Sequence, residues 1–316
     1  MDSTSSLLAG DHLLFSSLPP SKPIYIYWHT WSGPDKQRYS SIVSRQWESL
    51  VLSKLAHYTT HIRMSLPEGH NEHLPDTLLN SKKVDFQYFS TPVHEGFTLS
   101  PMKRDVDEGR IPEDSYILYF HSRGASKDQR TRESICSDDW TMMMEYFCIA
   151  RWLDAIAKLQ DFYTCGCQMW PMSTSVNQPQ ESIYYSPYPR EFWTYCGNFW
   201  WANAWYLKNM LNPVEYYSKG DFIKDRHLME NWLLSSVGTL TVFEQHYVLH
   251  QTGNPYQRGL VHSYLDRYNP IHYIRGNSTP VPALDPDLFN GEFNSRSSLR
   301  SKLKRVVARV RGRSTD

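Results

Sequence analysis

A strand-forming run in the middle of the chain opens directly into a short loop that is rich in hydrogen-bond donors. The run covers residues 116–120, and all five of its side chains are aliphatic or aromatic. Such a continuous run suits a strand that is buried on both faces, as in the middle of an α/β sheet. The loop that follows carries three potential cations, a hydroxyl and a glycine: His121, Ser122, Arg123, Gly124 and Lys127.

The residue types of this loop suit an anionic ligand. Open α/β sheets bind ligands at the carboxyl ends of their strands, which is where this loop begins. Arg123 offers a planar fork of donors that matches a phosphate or diphosphate, and Gly124 lets the backbone turn and approach closely. The alternative is a strand followed by a solvated basic turn, and these residues alone do not separate the two interpretations.

The elements around the loop alternate between strand and helix. Apolar runs predict strands at residues 23–30, 59–66, 84–89 and 162–170, and helical spacing predicts helices at 40–56, 95–107 and 226–236. Asp138 or Asp139 is predicted to cap a further long helix that ends near Gln160. This alternation predicts a three-layer α/β fold with a mostly parallel central sheet.

Cysteine usage and hydropathy restrict the compartment. The five cysteines are an odd number and are unevenly placed, which argues against a disulfide framework and for a reducing compartment. The first twelve residues have an acid where a signal peptide would have its basic region, and no apolar run is long enough to span a bilayer. A cytoplasmic location is therefore expected.

The zero net charge conceals a basic tail on an acidic body. Residues 294–316 hold eight basic residues and one acid, whereas the rest of the chain has 25 basic and 32 acidic residues. An acidic body disfavours general nucleic-acid binding, so no DNA partner is expected. Residues 299–310 have the spacing of a basic amphipathic helix, which suits peripheral contact with an anionic membrane surface. A disordered tail, or one that docks on the acidic body, is the alternative.

Several motifs between residues 84 and 236 together resemble a known group of enzymes. They are the central strand and loop YILYFHSRGAS with Glu95 before it, TYCGNFWWANAWYLKNM from Thr194 to Met210, and HLMENWLLS from His227 to Ser235. This order is similar to that of polysaccharide-building glycosyltransferases of bacteria and large viruses, of the rhamnan-synthesis type. Arg123 and Ser122 depart from that pattern, which usually has Lys and Thr there, but they keep the charge and the hydroxyl.

Residues 1–21 contain Ser and Pro and have no clear period, which predicts a flexible arm, and residues 276–316 form a C-terminal extension that ends in the basic tail. The resemblance implies that the chain between them, residues 22–275, is a single catalytic domain with a GT-A-like fold. Within the domain, residues 22–170 would bind the nucleotide sugar and 171–275 the acceptor. The implied activity is transfer of a sugar from a nucleotide-diphosphate donor to a glycan hydroxyl.

The resemblance also implies the catalytic roles. Glu230 would act as the base of an inverting single displacement, since a carboxylate near an acceptor hydroxyl can take its proton. His121 and Arg123 would stabilise the leaving diphosphate in the place where many GT-A enzymes hold a divalent cation. The alternative for Glu230 is an ordinary helical residue paired with Arg226, and Asp225 is the alternative base.

Donor and acceptor contacts are expected at strand ends and in the aromatic segment. The expected donor-binding residues are His29, Thr30, Ser122, Gly124 and Lys127. The expected acceptor-binding residues are Gly197, Asn198, Trp200 and Trp201. The alternatives are a first strand that only packs, and aromatic rings that belong in part to the core.

No resident metal is favoured. Asp105 and Asp107 spell an Asp-x-Asp motif, but they lie at a predicted helix end rather than after a strand, so a manganese or magnesium site there is only the second choice. The competing function is a non-catalytic carbohydrate- or nucleotide-binding protein on the same scaffold. That protein would bind a glycan or a nucleotide without turnover.

Overall fold

The computed structural model describes residues 21–90, 95–127, 132–173, 191–213, 226–234 and 242–250. Apart from its last residue, the expected N-terminal arm lies outside these residues, as do residues 251–316 with the basic tail. The described chain forms a seven-stranded sheet in the order β3-β2-β1-β4-β8-β5-β9 and a two-stranded sheet of β6 and β7. The strands are β1 Ile24–His29, β2 Thr59–Pro67, β3 Val84–Phe89, β4 Tyr116–His121, β5 Thr164–Cys167, β6 Met169–Ser173, β7 Glu191–Tyr195, β8 Trp200–Asn203 and β9 His246–His250.

The main sheet is mixed but mostly parallel. Strands β1, β2, β3 and β4 run parallel, β9 runs parallel to β5, and β8 is antiparallel to both β4 and β5. All five residues 116–120 of β4 have no exposed surface, as the continuous apolar run predicted. The Rossmann-like α/β fold class is thus confirmed, whereas the reversed direction of β8 had no signal in the sequence.

Helices cover both faces of the sheet. The helices are α1 Lys36–Leu52, α2 Leu55–Tyr58, α3 Asp76–Leu79, α4 Gly96–Asp107, α5 Arg132–Glu145, α6 Trp152–Lys158, α7 Ala204–Lys208, α8 Arg226–Asn231 and α9 Val242–Gln245. Short 3₁₀ turns occur at Asn71–His73 and Trp232–Leu234, and a π-helical turn occurs at Tyr146–Ala150. Helices α1, α5 and α6 share one hydrophobic core with the sheet, and α4 and α7 share the other.

The two cores follow from the alternation of side chains along each strand. On β1, Ile24, Ile26 and Trp28 belong to the core under α1, while Tyr27 belongs to the core under α4. Because β1 and β4 are buried on both faces, the loops at their carboxyl ends are held on a rigid base. This base positions the candidate site.

Two predicted elements are corrected. The helix expected to start at Asp138 or Asp139 begins at Arg132, is interrupted by the π-helical turn and ends at Lys158. Asp138 is not a cap, because its carboxylate is bound by both terminal nitrogens of Arg38, at 3.0 and 2.5 Å. The strand expected at 162–170 is two strands in different sheets, since Gln168 takes a left-handed φ of 55° between them.

The five cysteines all lie in the described ranges and form no disulfide. No helix in the described ranges combines the length and the apolar character that crossing a bilayer requires. The expected contact of residues 294–316 with a membrane surface lies outside the described residues.

Candidate functional site

The carboxyl ends of β1 and β4 lie side by side at the centre of the sheet. Their parallel register pairs His29 with His121, so the loops after both strands leave the same edge. The chain leaves β1 through α1 toward β2 on one side, while β4 lies on the other side, which makes this edge a topological switch point. Such a point is the usual ligand position in open α/β sheets.

Hydrogen bonds join the two loops. The Ser122 hydroxyl accepts from the Trp31 backbone N–H at 2.9 Å and donates to the Trp31 carbonyl at 3.1 Å. The Gly33 N–H donates to the Ala125 carbonyl at 3.2 Å, and a Cβ on Gly33 would lie 2.7 Å from that oxygen. Ser122, expected to contact the donor, thus joins the two loops, and its single hydroxyl proton goes to the Trp31 carbonyl.

Gly124 shapes the loop after β4. Its φ is 87°, and an added Cβ would lie 2.9 Å from the Ser137 hydroxyl and 3.3 Å from Arg38. The Arg38 guanidinium donates to the Gly124 carbonyl at 2.8 Å while it pairs with Asp138. The Lys127 backbone N–H then donates to the same Gly124 carbonyl at 3.0 Å, and the Lys127 side chain is half-buried. Hydrogen bonds to the Gly124 carbonyl thus hold this loop in place, so it is not the solvated turn of the alternative interpretation.

Arg123 points into the site and faces Glu230. Its guanidinium lies over the Trp140 ring, 4.0 Å from the ring centre, and its Nη1 is 4.0 Å from Glu230 Oε1. The Arg123 and Glu230 side chains keep only 15% and 19% of their surface exposed. The buried Arg123 Nε makes no hydrogen bond within the described part of the chain. This pair can therefore offer a positive charge with an unused donor and, next to it, a carboxylate that can accept a proton.

Glu95 is a buried carboxylate that connects several site residues, and sequence reasoning assigned it no role beyond its place in the motif. Its Oε2 accepts hydrogen bonds from the Tyr119 hydroxyl at 2.8 Å and from Asn198 Nδ2. Its Oε1 lies 3.3 Å from His121 Nδ1. Burial, and then the neighbouring Glu95 charge, raise the pKa of Tyr119 well above its ordinary value, so this hydroxyl stays a donor.

His121 lies between two acceptors. Its Nε2–H donates to the Gly197 carbonyl at 2.8 Å, since a carbonyl can only accept, and its Nδ1 faces the Glu95 carboxylate. Both nitrogens are occupied, so His121 joins β4 to the turn before β8 and does not itself reach toward a ligand.

The turn before β8 is built from two residues in left-handed conformation. Gly197 has a φ of 91°, and a Cβ on it would lie 2.6 Å from Met144 Sδ. Asn198 has a φ of 55°, donates to Glu95 and accepts from Trp200 Nε1 at 2.7 Å. Asn198 is only 1% exposed, so its amide orients the turn from below.

Trp200 and Trp201 are core residues. Trp200 is 1% exposed and stacks on Tyr119 with ring centres 5.1 Å apart, and Trp201 is fully buried with its Nε1 donating to the Cys148 carbonyl at 2.8 Å. Neither indole has a face available to a sugar. Acceptor binding by Trp200 and Trp201 stays a prediction.

His29 and Thr30 are buried as well. Thr30 has no exposed surface, and its hydroxyl contacts the Tyr39 hydroxyl at 3.1 Å and the Ser65 carbonyl at 3.0 Å. His29 is 3% exposed and its Nδ1 lies 2.9 Å from the Thr98 hydroxyl. The first strand thus ends in side chains that pack, and donor contacts by His29 and Thr30 stay a prediction.

Asp105 and Asp107 are engaged by cations of the chain. The Asp105 carboxylate accepts from the Tyr27 hydroxyl and pairs with both Arg63 and Arg110. Asp107 pairs with Lys103. Oxygens held in this way are not open to a metal ion, and the described residues include no cluster of three or more potential metal ligands.

A cavity of about 590 Å³ lies among β2, β3 and α4, and neither Arg123 nor Glu230 lines it. It is lined by Arg63, Gln87, Tyr88, Phe97, Pro101, Arg104, Asp105, Glu108 and Arg110. Most of its charges are already paired with one another. We therefore place the candidate site not in this cavity but at the carboxyl end of β4, where Arg123 and Glu230 lie.

Cys196 is a second residue at the site that sequence reasoning missed. Burial raises the pKa of its thiol to about 12, and the nearby Glu230 charge adds to the increase while Arg123 opposes it. The Thr194 hydroxyl next to this region donates to the Glu230 carbonyl at 2.6 Å and so fixes α8 against β7. Asp225, the alternative base, lies outside the described residues.

The protein thus has a Rossmann-like α/β fold with the Arg123–Glu230 pair at its switch point. No protein family and no curated protein matches the chain. Among solved structures, the 4-diphosphocytidyl-2C-methyl-D-erythritol synthase of Anaerococcus prevotii DSM 20548 is 12% identical over 80% of this chain and 96% of that chain, with a TM-score of 0.38. A second structure of an enzyme of that name is 10% identical over the same shares, with a TM-score of 0.32. Likeness at this level carries no argument about activity.

Proposed function

We propose that the protein is a glycosyltransferase that moves a sugar from a nucleotide-diphosphate donor to a glycan hydroxyl. The observation that carries the proposal is the Arg123–Glu230 pair, 4.0 Å apart at the mouth of β4. A cation for the leaving group and a carboxylate for the acceptor proton are the two charges that this transfer requires. The resemblance of the surrounding motifs to polysaccharide-building glycosyltransferases supports the same activity.

Arg123 is proposed to bind the departing diphosphate. Its Nε is desolvated and makes no hydrogen bond within the described residues, so an incoming phosphate oxygen gives it a partner that it lacks. The Trp140 ring below the guanidinium restricts its orientation, which lowers the entropy lost when the donor binds. Charge-assisted hydrogen bonds of this kind strengthen as negative charge builds on the leaving oxygen.

Glu230 is proposed to act as the base of a single displacement. An acceptor hydroxyl oxygen attacks the anomeric carbon, the bond from that carbon to the diphosphate oxygen breaks, and the hydroxyl proton passes to the Glu230 carboxylate. The electron pair of the broken bond leaves on the diphosphate, which Arg123 holds. Attack opposite to the leaving group inverts the anomeric configuration.

The other residues of the site are proposed to position these two. His121, Glu95 and Asn198 fix the turn before β8, and Gly197 lets that turn approach Met144 closely. Gly124 and Lys127 remain parts of the donor loop. Because the loop supplies cationic charge at the leaving group, no manganese or magnesium ion is required in this proposal.

The experiment is a panel of nucleotide sugars assayed for release of the nucleoside diphosphate, with and without EDTA. Arg123→Ala is expected to lower turnover by about 10²–10³-fold, and Glu230→Gln by about 10²–10⁴-fold while nucleotide affinity is kept. Arg104→Ala is the matched control, because Arg104 is an exposed arginine outside this site. Nucleoside triphosphates in the same panel would reveal a nucleotidyltransferase by release of pyrophosphate.

Three results would contradict the proposal. Wild-type turnover in Arg123→Ala or in Glu230→Gln would remove the role of that residue. Loss of activity in EDTA and its return with manganese would show that the loop does not replace a metal. Nucleotide binding with no turnover of any donor would indicate the non-catalytic binding protein.

A further inference from the structure

A second group of polar side chains lies in the loops after β1 and β2. It consists of Ser32, Lys36 and His70, which we name the Lys36 cluster. The Lys36 ammonium donates to the Ser32 hydroxyl at 2.8 Å and lies 2.5 Å from His70 Nε2, and Ser32 lies 2.7 Å from the same nitrogen. The sequence indicated only a turn here, because Gly33, Pro34 and Asp35 dominate the local pattern.

The hydrogen-bond roles in the Lys36 cluster follow from the backbone around His70. His70 Nδ1 faces the carbonyls of Pro67 and Glu68, at 3.3 and 3.1 Å, and a carbonyl can only accept. The proton is therefore on Nδ1, and Nε2 is the acceptor for Lys36. Lys36 thus has two neutral partners, and it makes no ion pair with any residue of the described chain.

The position of Lys36 at the start of a helix also disfavours its positive charge. Lys36 is the first residue of the 17-residue helix α1, where the helix dipole disfavours a cation. The nearest acid in sequence, Asp35, directs its carboxylate to the Arg38 N–H at 2.9 Å. An oxyanion at Lys36 would supply a countercharge that the described residues do not give it, next to Ser32, which is 6% exposed.

The Lys36 cluster lies on the same sheet edge as the Arg123–Glu230 pair. The bonds from Trp31 to Ser122 and from Gly33 to Ala125 run on either side of Ser32 in the chain. The joined loops therefore carry one cation from the β1 side, Lys36, and one from the β4 side, Arg123. A diphosphate has two phosphoryl groups, and each can take one cation.

We propose that the Lys36 cluster binds a phosphoryl group of the nucleotide diphosphate. This inference rests on the proposed function for the identity of the ligand. It does not rest on that function for the oxyanion site, which follows from the contacts of Lys36, Ser32 and His70. Lys36 in this scheme binds donor, while Arg123 stabilises the leaving charge.

The test is calorimetry on the full chain with three probes: nucleoside diphosphates (UDP, GDP and TDP), the matching nucleosides, and inorganic pyrophosphate. Lys36→Met keeps the side-chain length without the charge, and it is expected to weaken diphosphate and pyrophosphate binding about 10–100-fold while leaving nucleoside binding unchanged. Lys36→Arg should recover part of the loss because it restores the charge. Lys82→Met, at an exposed lysine in the turn before β3, is the control and should bind as wild type does.

A second measurement protects the test against a folding defect. Lys36→Met should unfold within about 1 kcal/mol of wild type, because the Lys36 ammonium makes no ion pair within the described residues. Equal binding by Lys36→Met and wild type, an equal loss of nucleoside binding, or no oxyanion binding by the wild-type protein would each overturn the inference. Lys36-dependent pyrophosphate binding without turnover of any nucleotide sugar would uphold the oxyanion site and remove the proposed function. Turnover that needs Arg123 but not Lys36 would uphold the function and overturn the inference.

Discussion

Replacing Glu95 tests whether one buried carboxylate holds the site together. Glu95 is 7% exposed, and its two oxygens contact Tyr119, Asn198 and His121. Glu95→Gln keeps the volume and one acceptor oxygen but removes the charge. Glu95→Ala removes both oxygens and leaves the two buried donors and the His121 ring without this partner.

The contacts set the size of the effect. A hydrogen bond to a charged group contributes about 1.5–3 kcal/mol against about 1 kcal/mol for a neutral one, and the relief of a buried charge offsets part of the difference. Glu95→Gln should therefore lower the free energy of unfolding by about 1–3 kcal/mol. Glu95→Ala should cost about 3–5 kcal/mol, because each buried donor left unpaired costs about 1–3 kcal/mol. Because His121 and Asn198 would move by a fraction of an ångström or more, turnover should fall about 10–100-fold in Glu95→Gln.

Urea unfolding and nucleotide-sugar turnover measure the two effects. Glu113→Ala is the control, since Glu113 is an exposed carboxylate that pairs with Lys208 at the surface, and its loss should cost less than about 1 kcal/mol. The reasoning is refuted if Glu95→Ala unfolds at the same urea concentration as Glu113→Ala. It is also refuted if Glu95→Gln turns over as fast as wild type, because the carboxylate charge would then have no part in positioning.

Two further predictions concern stability. Gly197→Ala should lower the unfolding free energy by about 1–3 kcal/mol, because its φ of 91° is strained for a side chain and its Cβ would lie 2.6 Å from Met144 Sδ. Thermal unfolding measures this loss. Recovery of only part of the loss in a double variant with Met144→Ala would separate the clash from the backbone strain. Burial lowers the pKa of His246 to about 3, below the ordinary 6.5. Between these two pH values the unfolded chain binds a proton at His246 and the folded chain does not. Wild-type stability should then fall by up to about 1.4 kcal/mol per pH unit as the pH drops from 6.5 toward 3, whereas His246→Asn should lack this component; parallel stability–pH curves for the two proteins would contradict the assignment.

Local sequence patterns determined the elements of this protein. The apolar run at 116–120 predicted a strand buried on both faces, and β1, β2, β3 and α4 lie within one or two residues of their predicted bounds, because side-chain period and turn residues act over short stretches. The basic loop after β4 could be recognised for the same reason. The resemblance of the later motifs directed attention to Glu230, which the fold then brought within 4.0 Å of Arg123.

Tertiary contacts decided what each polar residue does. Thr30, Ser122 and His121 are polar residues at strand ends, as a ligand site requires, yet the loops packed around them occupy their hydrogen bonds. Residues far apart in the chain likewise decide the direction of β8 and the burial of the Trp200 and Trp201 indoles. They also decide that Glu95 joins Tyr119, Asn198 and His121. A sequence shows which groups can donate, accept or carry charge, but whether a group meets a ligand or another part of the chain is decided only when the distant segments pack together.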